Sequence, residues 1–259
     1  MKRLPLVETL AAAQRREAWK SDTARSLDHP ILFWITRGQG RFMVDCRLRG
    51  VGPNTAVFVP RNTLFSYEMF AGPQGMVLSL PQDDYTGFPR RPALVRATNV
   101  QSQAEISGLI DALARELAEL RTGQRRAMQA HIMMIAVWLD RLLSDQPAER
   151  LGKSDQLLSK FSHVVSIGHR DGKSLGEFAS DLNVTPTHLT RLTQGSVGKP
   201  ASALLHEHVI NTACEALIQT DQPIKVISDR LGFSSPAYFT RAFQAQTGET
   251  PTGFRKSRR

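Results

Sequence analysis

Two stretches of the C-terminal half repeat one pattern of residues, and this repeat constrains the fold more than any other feature of the chain. The apolar positions of residues 175–182 match those of residues 224–231 at a spacing of 49. Residues 189–204 then match residues 239–254 at a spacing of 50, so the second copy holds one extra residue between the two blocks. An internal repeat of this kind predicts two copies of one supersecondary unit.

Each copy carries the residues that begin a helix, end it and begin another. Ser174 opens the Ser-x-x-Glu pattern of a capping box. Asn183 in the first copy and Gly232 in the second follow the last apolar residue, and both tolerate the left-handed backbone of a sharp exit. Thr-Pro at 185–186 and Ser-Pro at 235–236 then supply a capping oxygen followed by proline. Each copy is therefore predicted to be a helix–turn–helix unit.

The second helix of each copy is predicted to leave a polar stripe on its outer face. A spacing of i, i+3, i+4 and i+7 places four residues of each copy on one side of the helix. These residues are Thr187, Thr190, Arg191 and Gln194 in the first copy and Ala237, Thr240, Arg241 and Gln244 in the second. Such groups suit base edges and phosphates in a DNA major groove. Any helical pair has a polar outer stripe, but an arginine at the same place in both copies favours DNA binding.

Residues 201–219, between the copies, are predicted to form a long amphipathic helix. Its apolar positions are Leu204, Leu205, Val209, Ala213 and Leu217. A helix of this kind would hold the two motifs at a fixed separation, and motifs about 34 Å apart enter successive major grooves on one face of DNA. The net charge of +9 also favours a polyanionic partner.

The first half of the chain is predicted to form strands over residues 30–97. RFMVDCRL, residues 41–48, alternates between two sets of residues with the period of a half-buried strand. The other runs rich in β-branched and aromatic residues are ILFWITR, TAVFVP, LFSYEM, GMVLSL and PALVRA. Turns that contain glycine, proline or asparagine separate them, which predicts an antiparallel sandwich or small barrel.

Two helices with narrow apolar seams are predicted after the strands. The first seam is Ile106, Leu109, Leu113, Leu117 and Leu120, and the second is Met128, Ile132, Ile135, Leu139 and Leu142. Gly123 lies between them, which predicts an antiparallel helical hairpin. Both seams could pack on the strands of their own chain, or one seam could also contact a second subunit.

The chain is predicted to be an α+β protein of two domains. Residues 1–143 form an antiparallel β-barrel with a helical hairpin, residues 144–155 are a polar linker, and residues 156–259 form an all-α domain of two helix–turn–helix units. No apolar run is long enough to span a membrane, and the N-terminal residues make a poor signal peptide. A cytoplasmic protein with free thiols at Cys46 and Cys214 is therefore expected.

The second copy resembles the signature of the DNA-binding domain of the AraC family of bacterial transcription regulators. That signature reads I-x-x-I-(S/A)-x-x-L-G-F-S-S-x-x-Y-F-x-R-x-F, followed by T-G-x-T-P-x-x-(F/Y)-R, and residues 224–255 follow it almost throughout. The first copy is looser, with Thr193 where phenylalanine is usual and residues 194–195 where lysines are common. The first half resembles, more faintly, the cupin-like sensor domains of this family in ITRGQGRFMVD, in VFVPRNTLFSYE and in the helical pair.

The resemblance implies a sequence-specific transcription regulator that binds double-stranded DNA and is controlled by a small effector of unknown identity. The effector would bind in the N-terminal barrel, the helical hairpin would form a homodimer, and RNA polymerase is a further candidate partner. Aromatic residues that could line the effector pocket are Phe33, Trp34, Phe42, Phe58, Phe65 and Tyr67. Each of them is also explained as barrel core.

A metal-dependent enzyme is the alternative from a different class. Iron or zinc needs three or more clustered ligands, but the strand-rich region has a single histidine, His29. The spacing of Asp45, Cys46 and Glu68 does not complete a set with it. His206 and His208 lie two positions apart on a helix and point in different directions. The sequence therefore predicts no catalytic residue, no metal site and no cofactor. A DNA-binding protein that needs no ligand is the other alternative.

Overall fold

The structure, a computed structural model, describes residues 4–16, 21–70, 72–80, 87–119, 121–146, 151–168 and 172–258. Its strands are β1 (Leu6–Thr9), β2 (Ile31–Arg37), β3 (Gly40–Val44), β4 (Arg47–Val51), β5 (Thr55–Val59), β6 (Phe65–Met69), β7 (Gln74–Ser79) and β8 (Ala93–Arg96). A short helix, α1 (Leu10–Arg16), follows β1. Each of the five β-branched and aromatic runs picked out in the sequence overlaps one strand.

The eight strands form two antiparallel sheets that face each other. One sheet has the strand order β1-β7-β2-β5-β8, and the other has the order β4-β3-β6. An apolar core lies between them, with residues from β2, β3, β5, β6 and β7. The predicted antiparallel architecture is confirmed, although hydrogen bonds between the described strands do not close the two sheets into one barrel.

The single strand predicted for residues 41–48 is wrong, because this stretch is a hairpin. Strands β3 and β4 pair with Val44 opposite Arg47, and a two-residue turn joins them. Asp45 and Cys46 in that turn have φ angles of 52° and 55°, the left-handed backbone that a type I′ hairpin requires. A turn of two residues keeps the alternation of side chains in phase, so periodicity did not reveal it. Both turn residues are buried.

The predicted helical hairpin is confirmed as α2 (Val100–Ala118) and α3 (Gln124–Ser144). Its two seams pack against each other and against the outer face of the five-stranded sheet. Ile106 and Leu113 on α2 and Ile132 and Leu139 on α3 are buried in this way within one chain. Leu120, the last residue of the first seam, lies outside the described residues.

The second half of the chain consists of helices. They are α4 (Lys153–Gly168), α5 (Leu175–Asp181), α6 (Pro186–Val197), α7 (Ala201–Gln219), α8 (Ile224–Arg230), α9 (Pro236–Thr247) and α10 (Pro251–Ser257). Helix α3 ends at Ser144 and α4 begins at Lys153, so the predicted linker, residues 144–155, overlaps both helices. Residues 147–150 of that linker lie outside the described part of the chain.

Two separate apolar cores hold the helical half together. The first core joins α4, α5, α6 and the first part of α7 to residues of the N-terminal half, including Met43 and Leu64. The second core joins the last part of α7 to α8, α9 and α10. Across the described residues, no helix is both long and apolar enough to cross a membrane.

Candidate nucleic-acid interface

The first helix–turn–helix unit comprises α5, a tight turn and α6. Ser174 Oγ accepts a hydrogen bond from the Glu177 backbone N–H, and the Glu177 carboxylate accepts one from the Ser174 backbone N–H. The hydrogen bonds that the Glu177 carboxylate accepts from the Ser174 backbone N–H and from the Ser174 hydroxyl lower the pKa of Glu177. The chain leaves α5 through Asn183 at a φ of 56°, and Thr185 Oγ1 then accepts from the His188 N–H to begin α6. Every element of the predicted unit is present.

The second unit comprises α8, its turn and α9, and it repeats this local chemistry. Gly232 occupies the turn at a φ of 78°, and Ser235 Oγ accepts from the Tyr238 N–H at the start of α9. Phe239 and Phe243 on α9 are fully buried against α7 and α10. Because α9 is fixed through this inner face, its opposite face is held outward.

The structure places all eight predicted DNA-contacting residues on the outer faces of α6 and α9. Six of them are exposed, and Thr190 and Thr240 are partly exposed. The Thr240 hydroxyl donates to the Pro236 carbonyl at 2.9 Å, and the Gln194 amide donates to the Gly198 carbonyl at 3.0 Å. These two side chains are therefore engaged by backbone carbonyls of their own units, whereas Arg191 and Arg241 are exposed.

The two stripes differ in the residue one turn before each arginine. In the first unit, Arg191 Nη2 lies 3.2 Å from His188 Nδ1, which orients the guanidinium group. In the second unit the equivalent residue is Tyr238, which is half-exposed and whose ring lies 5.8 Å from that of Phe233. Sequence reasoning did not single out His188, although its position three residues before an arginine on a helix was visible.

Arg255, the last residue of the family-like signature, has a structural role in this chain. Its Nη2 donates to the Gln222 carbonyl at 2.6 Å, and its Nε donates to the Leu217 carbonyl at 3.3 Å. The second contact satisfies a carbonyl in the last turn of α7, where the helix itself offers no donor. Arg255 thus joins α10 to the end of the connecting helix.

Helix α7 connects the two units and also contacts the N-terminal half. The predicted apolar positions Leu204, Ala213 and Leu217 are buried. Two of the three buried polar residues on α7 bond to the N-terminal half, and these contacts were not anticipated. Glu207 accepts from the Ala24 N–H at 2.8 Å, and Asn211 donates to the Ala24 carbonyl at 2.9 Å.

The β3–β4 hairpin turn forms a second contact between the halves, against α4. Asp45 accepts a hydrogen bond of 2.8 Å from the Ser159 hydroxyl, and the Leu64 N–H donates to Ser162 Oγ at 2.9 Å. Burial raises the pKa of the Asp45 carboxyl above its usual value, and the hydrogen bonds from the two serines oppose part of that rise. Burial likewise raises the pKa of the Cys46 thiol.

The six aromatic residues predicted to line an effector pocket fall into two groups. Phe33, Phe42, Phe65 and Tyr67 pack together between the sheets, with ring centroids 5.0 Å apart for Phe33 and Phe42 and 5.3 Å apart for Phe42 and Tyr67. Trp34 and Phe58 instead face the helical hairpin. The Trp34 indole N–H donates to the Ser107 hydroxyl at 3.1 Å, so this residue secures α2 to the sheet.

A buried arginine joins the first aromatic group, and sequence reasoning missed it. The guanidinium carbon of Arg25 lies 4.5 Å from the ring centroid of Phe65 and 5.2 Å from that of Tyr67. Its backbone pairs with that of Phe65. Arg25 belongs to a short segment without periodicity, so no local pattern indicated that it would be buried.

A cleft of about 130 Å³ lies between the three-stranded sheet and the start of α7. The cleft is lined by Asp22, Arg41, Met43, Leu48, Ser66, Tyr67, Glu68, Val197, Lys199 and Leu204. Lys199 forms an ion pair of 2.6 Å with Glu207. Tyr67 is the one predicted effector residue on the cleft wall. Within the described ranges, no three histidine, cysteine, aspartate or glutamate residues are grouped so that they could hold a metal ion.

Comparisons with known proteins match both halves of the chain. The model of the AraC-like ligand binding domain matches residues 12–136, and a model of a helix-turn-helix domain matches residues 178–257. The uncharacterised HTH-type transcriptional regulator YfiF of Bacillus subtilis is 38% identical over 102 residues, which cover 39% of this chain and 32% of YfiF. YtdP, another such regulator from that organism, is 24% identical over 127 residues, or 47% of this chain and 16% of YtdP.

Solved structures of ToxT are similar over nearly the whole chain, and one of them illustrates the likeness. It is wild-type ToxT from Vibrio cholerae bound to an unsaturated fatty acid, with a TM-score of 0.51 and 13% identity over 98% of this chain and 96% of ToxT. At this identity the likeness concerns the fold alone. The chain spans a third or less of the curated relatives that it matches in sequence. The two family models lie side by side and together cover most of the sequence, and the chain belongs to the AraC family of transcription regulators.

Proposed function

We propose that this chain is a transcription regulator that binds specific sequences of double-stranded DNA under the control of a small effector. The observation that carries the proposal is the pair of capped helices, α6 and α9, each with an exposed stripe and an equivalent arginine. No catalytic step is part of this function. The protein would act in the cytoplasm. RNA polymerase is the further proposed partner, whose activity at the promoter the bound protein would change.

The geometry suits recognition through two major grooves. The N-terminal residues of a recognition helix contact base edges, and both helices begin with their predicted contacts, Thr187 and Ala237. Arg191 and Arg241 lie one turn further along, where a guanidinium group can reach guanine or phosphate. The positive net charge adds an attraction to DNA that does not depend on sequence.

The test is selection of bound sites from genomic DNA, followed by titration of one selected site and one scrambled duplex. Affinity for the selected site should exceed that for the scrambled duplex and should fall steeply with salt, because phosphate contacts release counterions. The double variant Arg191→Ala, Arg241→Ala should lose the selectivity. Arg115→Ala, an exposed arginine on α2, is the matched control and should bind like the wild type. Equal affinity for all duplexes at physiological salt would contradict the proposal.

The effector is proposed to bind in the N-terminal half, near the aromatic cluster of Phe33, Phe42, Phe65 and Tyr67. Arg25 over two of these rings offers a cation next to an apolar surface. A screen should include unsaturated fatty acids, because the structurally similar ToxT binds one. A ligand present at about 100 times its Kd raises the free energy of unfolding by about 2.7 kcal/mol. A ligand that stabilises the protein and changes its DNA affinity supports the sensor function. Absence of any such ligand favours the ligand-independent alternative.

A homodimer is proposed to form through the outer face of α3 rather than through the predicted seams, which are buried within one chain. Met133 and Met134 on that face are 44% and 43% exposed. The pair Met133→Lys, Met134→Lys should therefore give folded monomers in sedimentation. Leu113→Lys is unsuitable for this purpose, because Leu113 is fully buried and its replacement would disrupt the fold. A wild type that sediments as a monomer at micromolar concentration would contradict the dimer.

A further inference from the structure

A glycine just before the first helix–turn–helix unit and a glycine in the turn of the second unit contact each other backbone to backbone. Gly172 precedes α5 of the first unit, and Gly232 forms the turn of the second. A Cβ atom added to Gly172 would lie 2.6 Å from Gly232 Cα, and a Cβ atom added to Gly232 would lie 2.5 Å from Gly172 Cα. Ordinary van der Waals contacts of a Cβ atom begin at 3.4 Å. Neither position can therefore accept a side chain unless the two units move apart.

The contact is a separate requirement from the left-handed backbone of these glycines. Gly172 and Gly232 have φ angles of 67° and 78°, and Gly248 at the end of α9 has a similar φ of 77°. A Cβ atom added to Gly248 would meet nothing within 4 Å. Alanine at 248 thus introduces the backbone strain alone, whereas alanine at 172 introduces the strain and a collision with the other unit.

The position of this contact constrains how the units are oriented. Their two apolar cores share no residue, and α7 is the helix on which both units pack. If the two units were attached only to α7, each could rotate around that helix. A direct contact between the units restricts this rotation. The backbone contact between Gly172 and Gly232 supplies a second place of attachment.

We propose that the Gly172–Gly232 contact sets the spacing of the two DNA half-sites, which makes Gly172 a positioning residue for recognition. The inference rests on the proposed DNA-binding function. Both recognition helices must meet their grooves at once, and the distance between successive grooves is fixed at about 34 Å. A side chain at 172 separates the units, and α6 and α9 then no longer match the spacing selected by the wild type.

The experiment compares full-length wild type, Gly172→Ala and Gly248→Ala on the selected site and on versions with one base pair inserted or deleted between the half-sites. Gly172→Ala should bind the native spacing about tenfold more weakly, which is about 1.4 kcal/mol. It should also lose the wild-type preference for that spacing, while its affinity for each isolated half-site stays unchanged. Gly248→Ala should keep the wild-type spacing preference.

A second variant covers the case in which Gly172→Ala does not fold. Asparagine adopts the left-handed conformation more readily than alanine but still carries a Cβ atom. Gly172→Asn should therefore fold and show the same change in spacing preference. The inference is overturned if either folded variant keeps the wild-type spacing preference. If the wild type itself does not discriminate between duplexes, the proposed function fails, and that result is distinct from a failure of the spacing role.

Discussion

The two helix–turn–helix units share one motif, but different parts of the molecule surround them. The core of the first unit includes Phe161 and Phe178 together with Met43, Cys46 and Leu64 from the N-terminal half. The core of the second unit is closed by α7 and α10, and none of the described residues of the N-terminal half belongs to it. The N-terminal domain is therefore in direct packing contact with the first unit and not with the second core.

One pair of equivalent residues differs between the two cores. Phe243 on α9 packs against Phe239 and Phe254, with ring centroids 5.7 Å and 5.3 Å apart. At the equivalent place on α6 the first unit has Thr193, which is fully buried and donates to the Thr190 carbonyl. A threonine buries less apolar surface than a phenylalanine. The first unit completes its core with side chains from the N-terminal half instead.

The largest expected effect comes from truncating one core phenylalanine in each unit. Phe161 and Phe243 are both fully buried, and Phe→Ala at such sites costs about 3–5 kcal/mol. All three tryptophans lie within the first 138 residues, so their fluorescence reports the N-terminal half. In a urea titration, Phe161→Ala should lower the urea concentration at the midpoint of the unfolding transition seen by fluorescence. Phe243→Ala should leave it unchanged and should lose helical circular dichroism in a separate step. If Phe243→Ala lowers this midpoint as far as Phe161→Ala does, the N-terminal half does not unfold separately from the second unit, and the prediction is wrong.

The sequence predicted the local chemistry of both units well, because that chemistry lies in short fragments. The cap at Ser174, the left-handed Asn183 and the N-caps Thr185 and Ser235 each act over three or four residues, and the structure confirms them. The burial of Phe239 follows in the same way from helical periodicity.

Contacts between distant segments had no such signature. Asn211 and Ala24 are 187 residues apart, and the spacing of hydrophobic residues in either segment does not indicate that the two residues are in contact. The turn at residues 45–46 preserved strand alternation, and it was missed because its left-handed backbone is stabilised by packing against α4 rather than by glycine. The division of the predicted aromatics between two cores also depends on which face of a sheet the helices cover.

A smaller effect is expected from the polar contact that joins the N-terminal half to α7. Asn211→Ala removes both donors to Thr23 and Ala24 and leaves the buried Ala24 carbonyl without one of its partners. The loss should be roughly 1–3 kcal/mol in the free energy of unfolding. Hydrogen exchange at residues 21–25 should accelerate while exchange in α9 stays constant. Thr212→Ala, whose hydroxyl bonds only within α7, is the control. Equal acceleration in α9 would show that the second unit is not independent.

The two arginines on the stripes are expected to divide their roles in DNA recognition. Arg191 is oriented by His188, and Thr187 and Thr190 lie beside it, so it is predicted to contact a base. Arg191→Ala should then relax the preference at one base pair, by roughly 1–3 kcal/mol. Arg241→Ala should weaken binding to all sequences alike, because the neighbouring Thr240 hydroxyl is engaged by its own helix. Binding of both variants to a library of single-base site variants is the measurement. A flattened base preference for Arg241→Ala alone would reverse the two roles.

The smallest expected effect is a dependence on pH of the contact between the β3–β4 hairpin turn and α4. Burial raises the pKa of Asp45, so the folded protein holds this proton more readily than the unfolded chain does. The stabilisation that Asp45 gives is therefore complete at pH values below its ordinary pKa of 3.8 and is lost as pH rises through the raised value.

The free energy of unfolding of the wild type relative to Asp45→Asn should accordingly fall as pH rises from 4 to 8, because asparagine resembles the protonated acid and does not titrate. Arg47 and His163 also lower the pKa of Asp45 through their charges, so the series is repeated with His163→Gln to remove the effect of that side chain. No carboxylate is buried in the described core of the second unit, so unfolding of that unit should follow the same pH profile in both proteins. If the difference in unfolding free energy between wild type and Asp45→Asn does not change with pH, the hairpin turn packs against α4 but does not link its stability to proton binding.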